Sequence, residues 1–146
     1  VGKWTETRIG KRAVNLIFPN RLDNIDDAWV YLKMMASGRW PEGEDLISSD
    51  AWASSSYAIH IGGRFTAGEA TIAKDAEASV RYAETVIRDR WPDGEASILK
   101  DRKSIRGYMY KVLSRYGVKS WPEGESAIAK DSYLSYIYAS SILHGS

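Results

Sequence analysis

The chain has 146 residues, of which 44% are hydrophobic and 27% charged, and no apolar run approaches the roughly 18 residues that a membrane span needs. This length and composition predict one globular domain and exclude disordered, collagen-like and membrane-spanning classes. The formal net charge of +1 argues against a protein that binds phosphates over most of its surface, and the lack of cysteine excludes disulfides and thiolate metal sites and favours an intracellular protein.

The first 37 residues predict a divergent helical unit. A weak helical pattern covers about residues 5–18, Pro19 interrupts it, and a better pattern covers residues 24–37. Asn24 and Tyr31 stand seven residues apart, a spacing that returns further along the chain. We interpret residues 1–37 as a unit that caps the N-terminal end of a repeated fold.

From residue 38 onwards the sequence repeats one phrase four times. An aromatic residue is followed ten residues later by an aspartate, and a tyrosine stands seven residues beyond that aspartate. The four sets are Trp40, Asp50 and Tyr57; Phe65, Asp75 and Tyr82; Trp91, Asp101 and Tyr108; and Trp121, Asp131 and Tyr138. We therefore divide this part of the chain into units at 38–62, 63–88, 89–118 and 119–146.

Each unit predicts a short helix followed by a longer one. In "WPEGESAIAKD", Pro122 suits the first helical position and Glu125 places negative charge in the first turn. Ile128 gives the short helix a buried side chain, and Asp131 is a good N-cap for the second helix. Because two helices in about 25 residues cannot bury an apolar face alone, neighbouring units should stack. The prediction is an all-α fold, an α-solenoid of short-helix and long-helix repeats of about 25–30 residues in a single domain covering residues 1–146.

The repeated phrase also carries a resemblance. "RWPEGE", "AIAKD" and "VRYAETVI" resemble the tandem RWPE(A/G)E…KDPxxAYxYA repeats of bacteriophage and large DNA virus proteins, over residues 38–146. The chain departs from that pattern at "FTAGE" (65–69) and after each cap aspartate, where Ala51, Ala76, Arg102 and Ser132 replace proline. The resemblance implies a viral origin and stacked helices, and it implies no established activity.

The recurring carboxylates are better explained by structure than by acid–base catalysis. The glutamates are Glu44, Glu69, Glu95 and Glu125, and the first three share their units with Arg39, Arg64 and Arg90. First-turn glutamates stabilise helix ends and pair with such arginines. His60 and His144 lie far apart in sequence, and Gly62 and Gly63 lack the context of a phosphate loop. We therefore predict no enzyme, no catalytic or metal site and no cofactor.

The aromatic residues divide into repeated and non-repeated ones. Aromatics at repeated places are expected to join one unit to the next. The non-repeated ones are freer to contact a partner, as protein contacts or as stacking platforms for single-stranded nucleic acid, and they are Trp29, Trp52, Tyr110, Tyr116, Tyr133 and Tyr136.

The third unit departs most from the repeat, since it is rich in basic residues and has a longer loop, "SRYGVKS". The candidate partner-binding residues are Arg102, Lys103, Arg106, Lys111, Arg115, Tyr116 and Lys119. Their charges fall on both flanks of the predicted helix, so a merely solvated face is the alternative.

These observations favour binding over catalysis. We expect a non-catalytic, phage-type helical-repeat protein that binds a host or viral protein as adaptor or inhibitor in the host cytoplasm. The alternative is a nucleic-acid-binding repeat that uses the basic third unit. Neither a membrane nor a small-molecule substrate is indicated.

Overall fold

The computed structural model describes residues 38–143 of the chain. The predicted N-terminal unit, with Trp29, and the last three residues, with His144, lie outside the described residues. Every regular element within residues 38–143 is helical, which confirms the all-α fold class.

The helices come in consecutive pairs of a short first helix and a second helix. The pairs are α1 (Pro41–Ile47) with α2 (Ala51–Ile61), α3 (Thr66–Ile72) with α4 (Ala76–Tyr82), α5 (Pro92–Ile98) with α6 (Arg102–Tyr108), and α7 (Pro122–Ile128) with α8 (Ser132–Ile137). After α4, α6 and α8 the chain continues as π-helical segments at Ala83–Ile87, Met109–Ser114 and Tyr138–Leu143. The predicted longer second helix therefore has the expected extent, but in three pairs its hydrogen bonding changes at the repeated tyrosine.

The aspartates cap the second helices as predicted. A carboxylate oxygen of Asp50 accepts a hydrogen bond from the backbone N–H of Ala53 at 2.7 Å, and Asp75, Asp101 and Asp131 cap α4, α6 and α8 in the same way. The first helices begin at proline in three pairs. The helix α3 begins at the equivalent place, Thr66, although it lacks the proline. The missing proline thus leaves the start of this helix unchanged.

The repeated aromatic residues connect one pair of helices to the next. The tyrosine of one unit packs against the aromatic residue that opens the following unit. The ring centres of Tyr57 and Phe65 lie 4.8 Å apart, those of Tyr82 and Trp91 4.8 Å, and those of Tyr108 and Trp121 5.0 Å. These rings are buried, as are the four repeated isoleucines Ile47, Ile72, Ile98 and Ile128. The predicted role of the repeated aromatics is confirmed by these contacts.

A glycine in the first helix allows the close approach of the aromatic ring. A Cβ atom on Gly94 would lie 2.6 Å from the ring of Trp91 and 2.7 Å from the hydroxyl of Ser79 in the preceding unit. Both distances are too short for a real contact. The glycine therefore lets the short helix pack tightly between its own tryptophan and the preceding second helix.

In the first and third units, a glycine with left-handed backbone conformation lies at the end of the second helix or in the turn that follows it. Gly62 has φ = 74° and Gly117 has φ = 72°, while the chain leaves the second unit at Arg88 with φ = 59°. A non-glycine residue pays a steric cost in this conformation. The backbone at the end of the second unit is therefore strained at Arg88.

We predict that Arg88→Gly stabilises the protein. Removing the steric strain should outweigh the greater entropy of glycine in the unfolded chain and raise the free energy of unfolding by about 0.5–1 kcal/mol. The melting temperature should rise by roughly 2–3 °C. Gly117→Ala is the matched control and should lower it. An Arg88→Gly variant that melts at or below the wild-type temperature would contradict the claim that the backbone is strained at Arg88.

Candidate functional site

Each of the first three units contains one repeated cluster of an arginine, a glutamate and a tyrosine, which we call the Arg–Glu–Tyr cluster. In the second unit, Nε and Nη2 of Arg64 donate to the two carboxylate oxygens of Glu69 at 2.7 and 2.8 Å. The hydroxyl of Tyr82 donates to Glu69 at 2.6 Å and accepts from the backbone N–H of Phe65 at 3.1 Å. The tyrosine thereby joins the second helix to the start of the first helix of its own unit.

The same cluster is formed by Arg39, Glu44 and Tyr57 in the first unit and by Arg90, Glu95 and Tyr108 in the third. The predicted pairing of glutamate with the arginine of its unit is confirmed. The sequence analysis missed the tyrosine hydroxyl as the third member. The constant separation of 13 residues between glutamate and tyrosine is the signal that could have revealed it.

The cluster of the third unit is the most buried. The Glu95 side chain is almost inaccessible and, besides Arg90, accepts from the Tyr108 hydroxyl at 2.6 Å and the indole N–H of Trp121 at 2.9 Å. Arg90 also donates to Glu123 at 2.7 Å. Both the carboxylate and the guanidinium thus link the third unit to the fourth.

The ionisation of this cluster follows from these bonds. Burial alone would raise the pKa of Glu95, but the hydrogen bonds from Arg90, Tyr108 and Trp121 outweigh burial and hold the pKa of the carboxyl below its ordinary value. Burial, followed by the hydrogen bond to Glu95, raises the pKa of Tyr108 well above its ordinary value. At neutral pH the glutamate is therefore an ionised acceptor and the tyrosine a protonated donor.

The fourth unit lacks a complete cluster. Ser120 stands where the other units have arginine, and Glu125 is exposed. The Tyr138 hydroxyl still donates to Glu125 at 2.9 Å and accepts from the backbone N–H of Trp121 at 2.6 Å. The tyrosine link to the backbone is therefore kept where the arginine is lost.

Three of the seven predicted partner-binding residues contact other units. Nε of Arg102 donates to Asp131 at 2.5 Å, and its guanidinium carbon lies 5.7 Å from the ring centre of Tyr133. Arg115 pairs with the carboxylate of Glu84 at 3.2 Å, and the Tyr116 hydroxyl donates to the backbone oxygen of Glu84 at 2.6 Å. These side chains hold the third unit to its neighbours on both sides.

The other four predicted residues, Lys103, Arg106, Lys111 and Lys119, are exposed. Lys103 and Lys111 line a cleft of about 440 Å³ between α4 and α6. Of the seven predicted residues, two thus line the cleft and three contact neighbouring units.

The cleft contains an arginine that the sequence analysis did not single out. Arg81, on α4, lies over the ring of Trp52 with 4.2 Å between its guanidinium carbon and the ring centre. Its Nη1 donates to the hydroxyls of Ser55 and Ser56 at 3.3 and 2.8 Å. Arg81 occupies a place in the repeat where the other units have Ser56, Gly107 and Ile137, so only the fold shows that it faces an unusual environment.

Two non-repeated tyrosines are prominently exposed on α8. The exposed fraction is 45% for Tyr133 and 68% for Tyr136, and these residues lie one helical turn apart. Tyr110 of the third unit is also exposed, whereas Trp52 and Tyr116 are partly buried. Two of the three most exposed aromatic side chains within the described residues are therefore on the fourth unit.

Within residues 38–143, no three histidine, aspartate or glutamate side chains are grouped closely enough to bind a metal ion. In the same part of the chain, no helix has the length and apolarity needed to cross a bilayer. The chain matches no family model, no curated protein and no solved structure.

We predict that Tyr108→Phe destabilises the protein by about 2–3 kcal/mol, because it removes a hydrogen bond to a buried charge and leaves the backbone N–H of Trp91 unpaired. Tyr138→Phe is the matched control, because it also leaves a backbone N–H unpaired, that of Trp121, but loses a bond to the exposed Glu125; it should cost about 1 kcal/mol less. Urea denaturation measures both. If both variants lose the same free energy of unfolding, burial of the glutamate does not strengthen its hydrogen bond to tyrosine.

The clusters also predict acid sensitivity. The pKa values of Glu44, Glu69 and Glu95 are lowered in the folded protein, each with its arginine as a cause. Their stabilisation is therefore fully present above the unfolded-state pKa of about 4.3 and is lost as pH falls through the lower folded values. Stability measured by urea denaturation should fall below about pH 4.5, and less steeply in Glu69→Gln. An identical pH profile for that variant would contradict this account.

Proposed function

We propose that the chain is a short α-solenoid with units at 38–62, 63–88, 89–118 and 119–146. Contacts of one kind recur between consecutive units and support this architecture. Besides the edge-to-face and tilted ring contacts, the Thr71 hydroxyl donates to the backbone oxygen of Ser48 at 2.7 Å, and the Ser97 hydroxyl donates to that of Ala73 at 2.5 Å. Shared contacts between neighbouring repeats are what such folds rely on.

We propose further that this protein binds another protein and performs no catalysis of its own. The observation that carries the proposal is the pair Tyr133 and Tyr136, which expose large aromatic side chains on a helix whose buried face already serves the core. Arg102 lies beside Tyr133. Tyrosine and arginine are enriched at protein interfaces, where they contribute much of the binding energy.

The repeated polar side chains support a structural role over a catalytic one. General acids and bases must reach a substrate, whereas each cluster glutamate of the first three units accepts hydrogen bonds from arginine and tyrosine side chains of its own unit. The tyrosines are held protonated because their pKa values are raised; burial, the largest cause, raises the pKa of Tyr57 to about 12. The residues that recur are thus occupied in holding the fold together.

The paired arginines favour a protein partner over nucleic acid. Arg102 and Arg115, two of the basic side chains expected to meet phosphates, form ion pairs with Asp131 and Glu84. A phosphate-binding face needs unpaired basic groups that release counterions on binding. Arg106 and the two cleft lysines remain exposed, so nucleic-acid binding is the second candidate.

The resemblance to viral repeat proteins indicates the kind of partner to expect. A viral repeat protein that catalyses no reaction would act by binding a protein of the infected cell or of the virus. We therefore propose an adaptor or inhibitor that acts in the host cytoplasm. A rigid repeated scaffold supports this role because it presents an extended surface.

We predict that the tagged protein captures a discrete protein from a lysate of the cells in which it is naturally made. Capture should survive nuclease treatment, and Tyr133→Ser/Tyr136→Ser should reduce it at least fivefold, roughly the effect of losing two interface side chains. Ile59→Ser, which changes an exposed apolar residue on α2, is the control and should leave capture unchanged. The captured protein is identified by mass spectrometry and its binding is then measured with purified components.

The opposite result is that nuclease treatment abolishes capture and that binding falls about a thousandfold between roughly 50 and 200 mM salt. That result would show that the protein binds nucleic acid. Capture that the tyrosine variant retains in full would place the interface elsewhere on the molecule.

A further inference from the structure

We propose that the cleft between α4 and α6 is a carboxylate-binding site, in which Arg81 receives an aspartate or glutamate side chain of the partner protein. This inference rests on the proposed protein-binding function and names the chemistry of the partner. Phosphate groups and neutral side chains are the competing occupants, and the experiment below distinguishes them.

Arg81 is an arginine whose pairing edge makes no bond in the described part of the chain. In the Arg–Glu–Tyr clusters, Arg39, Arg64 and Arg90 each use Nε and Nη2 to hold a glutamate. In Arg81 only Nη1 is bonded to described residues, and its acceptors are two serine hydroxyls. The edge that binds a carboxylate three times in this fold is therefore unoccupied at Arg81.

The guanidinium is held in place before any ligand arrives. The ring of Trp52 lies against it, and the hydroxyls of Ser55 and Ser56 fix one nitrogen. Burial lowers the pKa of Arg81, and arginine stays charged in proteins, so a cation remains at a partly desolvated position. An ordered arginine loses little conformational freedom when it binds, and its fork forms two parallel hydrogen bonds with a carboxylate.

The cleft that Arg81 lines is open beside Gly107 of the neighbouring helix. Gly107 lies within α6, where glycine costs about 1 kcal/mol relative to alanine, and it lines the cleft. A Cβ atom on Gly107 would still lie 3.8 Å from its nearest neighbour, a methyl group of Val80. The cleft of about 440 Å³ is therefore wide enough for a side chain to enter.

The acidic residues of the cleft do not serve as partners for Arg81. Glu77 lies on α4 and Glu84 in the π-helical segment that follows it, and neither is within ion-pair distance of Arg81 in the described structure. The Glu84 carboxylate pairs with Arg115 instead. Asp101 accepts from the backbone N–H and the hydroxyl of Ser104 at the start of α6.

The balance of charge favours a carboxylate over a phosphate. Three basic and three acidic side chains line the cleft: Arg81, Lys103, Lys111, Glu77, Glu84 and Asp101. A lining with no net formal charge would repel part of a polyanion while it attracts another part. One carboxylate opposite Arg81, on a chain with neutral or mixed neighbours, fits this pattern better. Mixed charge of this kind is what complementary protein interfaces use for specificity.

The experiment uses the full chain and three immobilised libraries of seven-residue peptides. The central residue is fixed as glutamate, glutamine or phosphoserine, and the flanking positions are randomised without acidic residues. We expect the wild-type protein to bind the glutamate library at least fivefold more strongly than the glutamine library. Arg81→Gln should reduce glutamate binding to the glutamine level, and Arg81→Lys, which keeps the charge and loses the fork, should reduce it at least threefold.

Lys74→Gln is the matched control, because it removes one positive charge from an exposed position outside the cleft and should change binding less than twofold. Circular dichroism and melting curves show whether each variant is folded. If Arg81→Gln does not fold, NMR of the wild-type protein tests the proposal instead. The Nε–H resonance of Arg81 should shift when a selected glutamate peptide is added and stay unchanged with its glutamine counterpart.

Equal binding of glutamate and glutamine peptides, or an unaltered Arg81 resonance, would overturn the proposal. Stronger binding of phosphoserine than of glutamate would overturn it in favour of a phosphate ligand. A partner protein captured equally by wild type and by folded Arg81→Gln would reject the cleft and leave the protein-binding function standing. Failure to capture any protein would reject that function itself.

Discussion

The fold depends on one hydrogen-bonded position, the hydroxyl of the tyrosine that recurs in every unit. In the first three units this hydroxyl accepts the backbone N–H of the opening aromatic residue and donates to an ionised glutamate held by arginine. The ring of the same tyrosine packs against the aromatic residue of the following unit. One side chain therefore closes its own pair of helices and also attaches the next pair. A buried polar group of this kind stabilises only when all its partners are present.

Recurring residues and residues that differ between units have different roles in this arrangement. The recurring glutamates, arginines and tyrosines satisfy one another, so they are not available to a ligand. What varies from unit to unit lies on the second helices, where Trp52, Glu77, Lys103 and Tyr133 occupy equivalent places in successive units. The Arg81 cleft and the exposed tyrosines of α8 both belong to these second helices. The side chains at these places can thus change without disturbing the contacts that hold the units together.

The sequence could predict the features that depend on local spacing. Aspartate caps, helix starts at proline and buried isoleucines follow from interactions within one or two helical turns, and these predictions are confirmed. The bond from Tyr82 to Glu69 could not be predicted this way, because it joins residues on different helices and depends on how the pair packs. Arg81 was missed because its environment is made by Trp52, Ser55 and Ser56 on another helix. The ion pairs of Arg102 with Asp131 and of Arg115 with Glu84 could not be predicted either, because they join residues of adjacent units.

The most direct measurement is a double-mutant cycle between Tyr82 and Glu69, with Tyr82→Phe, Glu69→Gln and the double variant compared by urea denaturation. The cycle cancels the effects that each change has on its other neighbours and leaves the coupling between hydroxyl and carboxylate. The account predicts a coupling free energy of about 1.5–3 kcal/mol, the range for hydrogen bonds to charged groups. A coupling close to zero would contradict the claim that this bond holds each unit together.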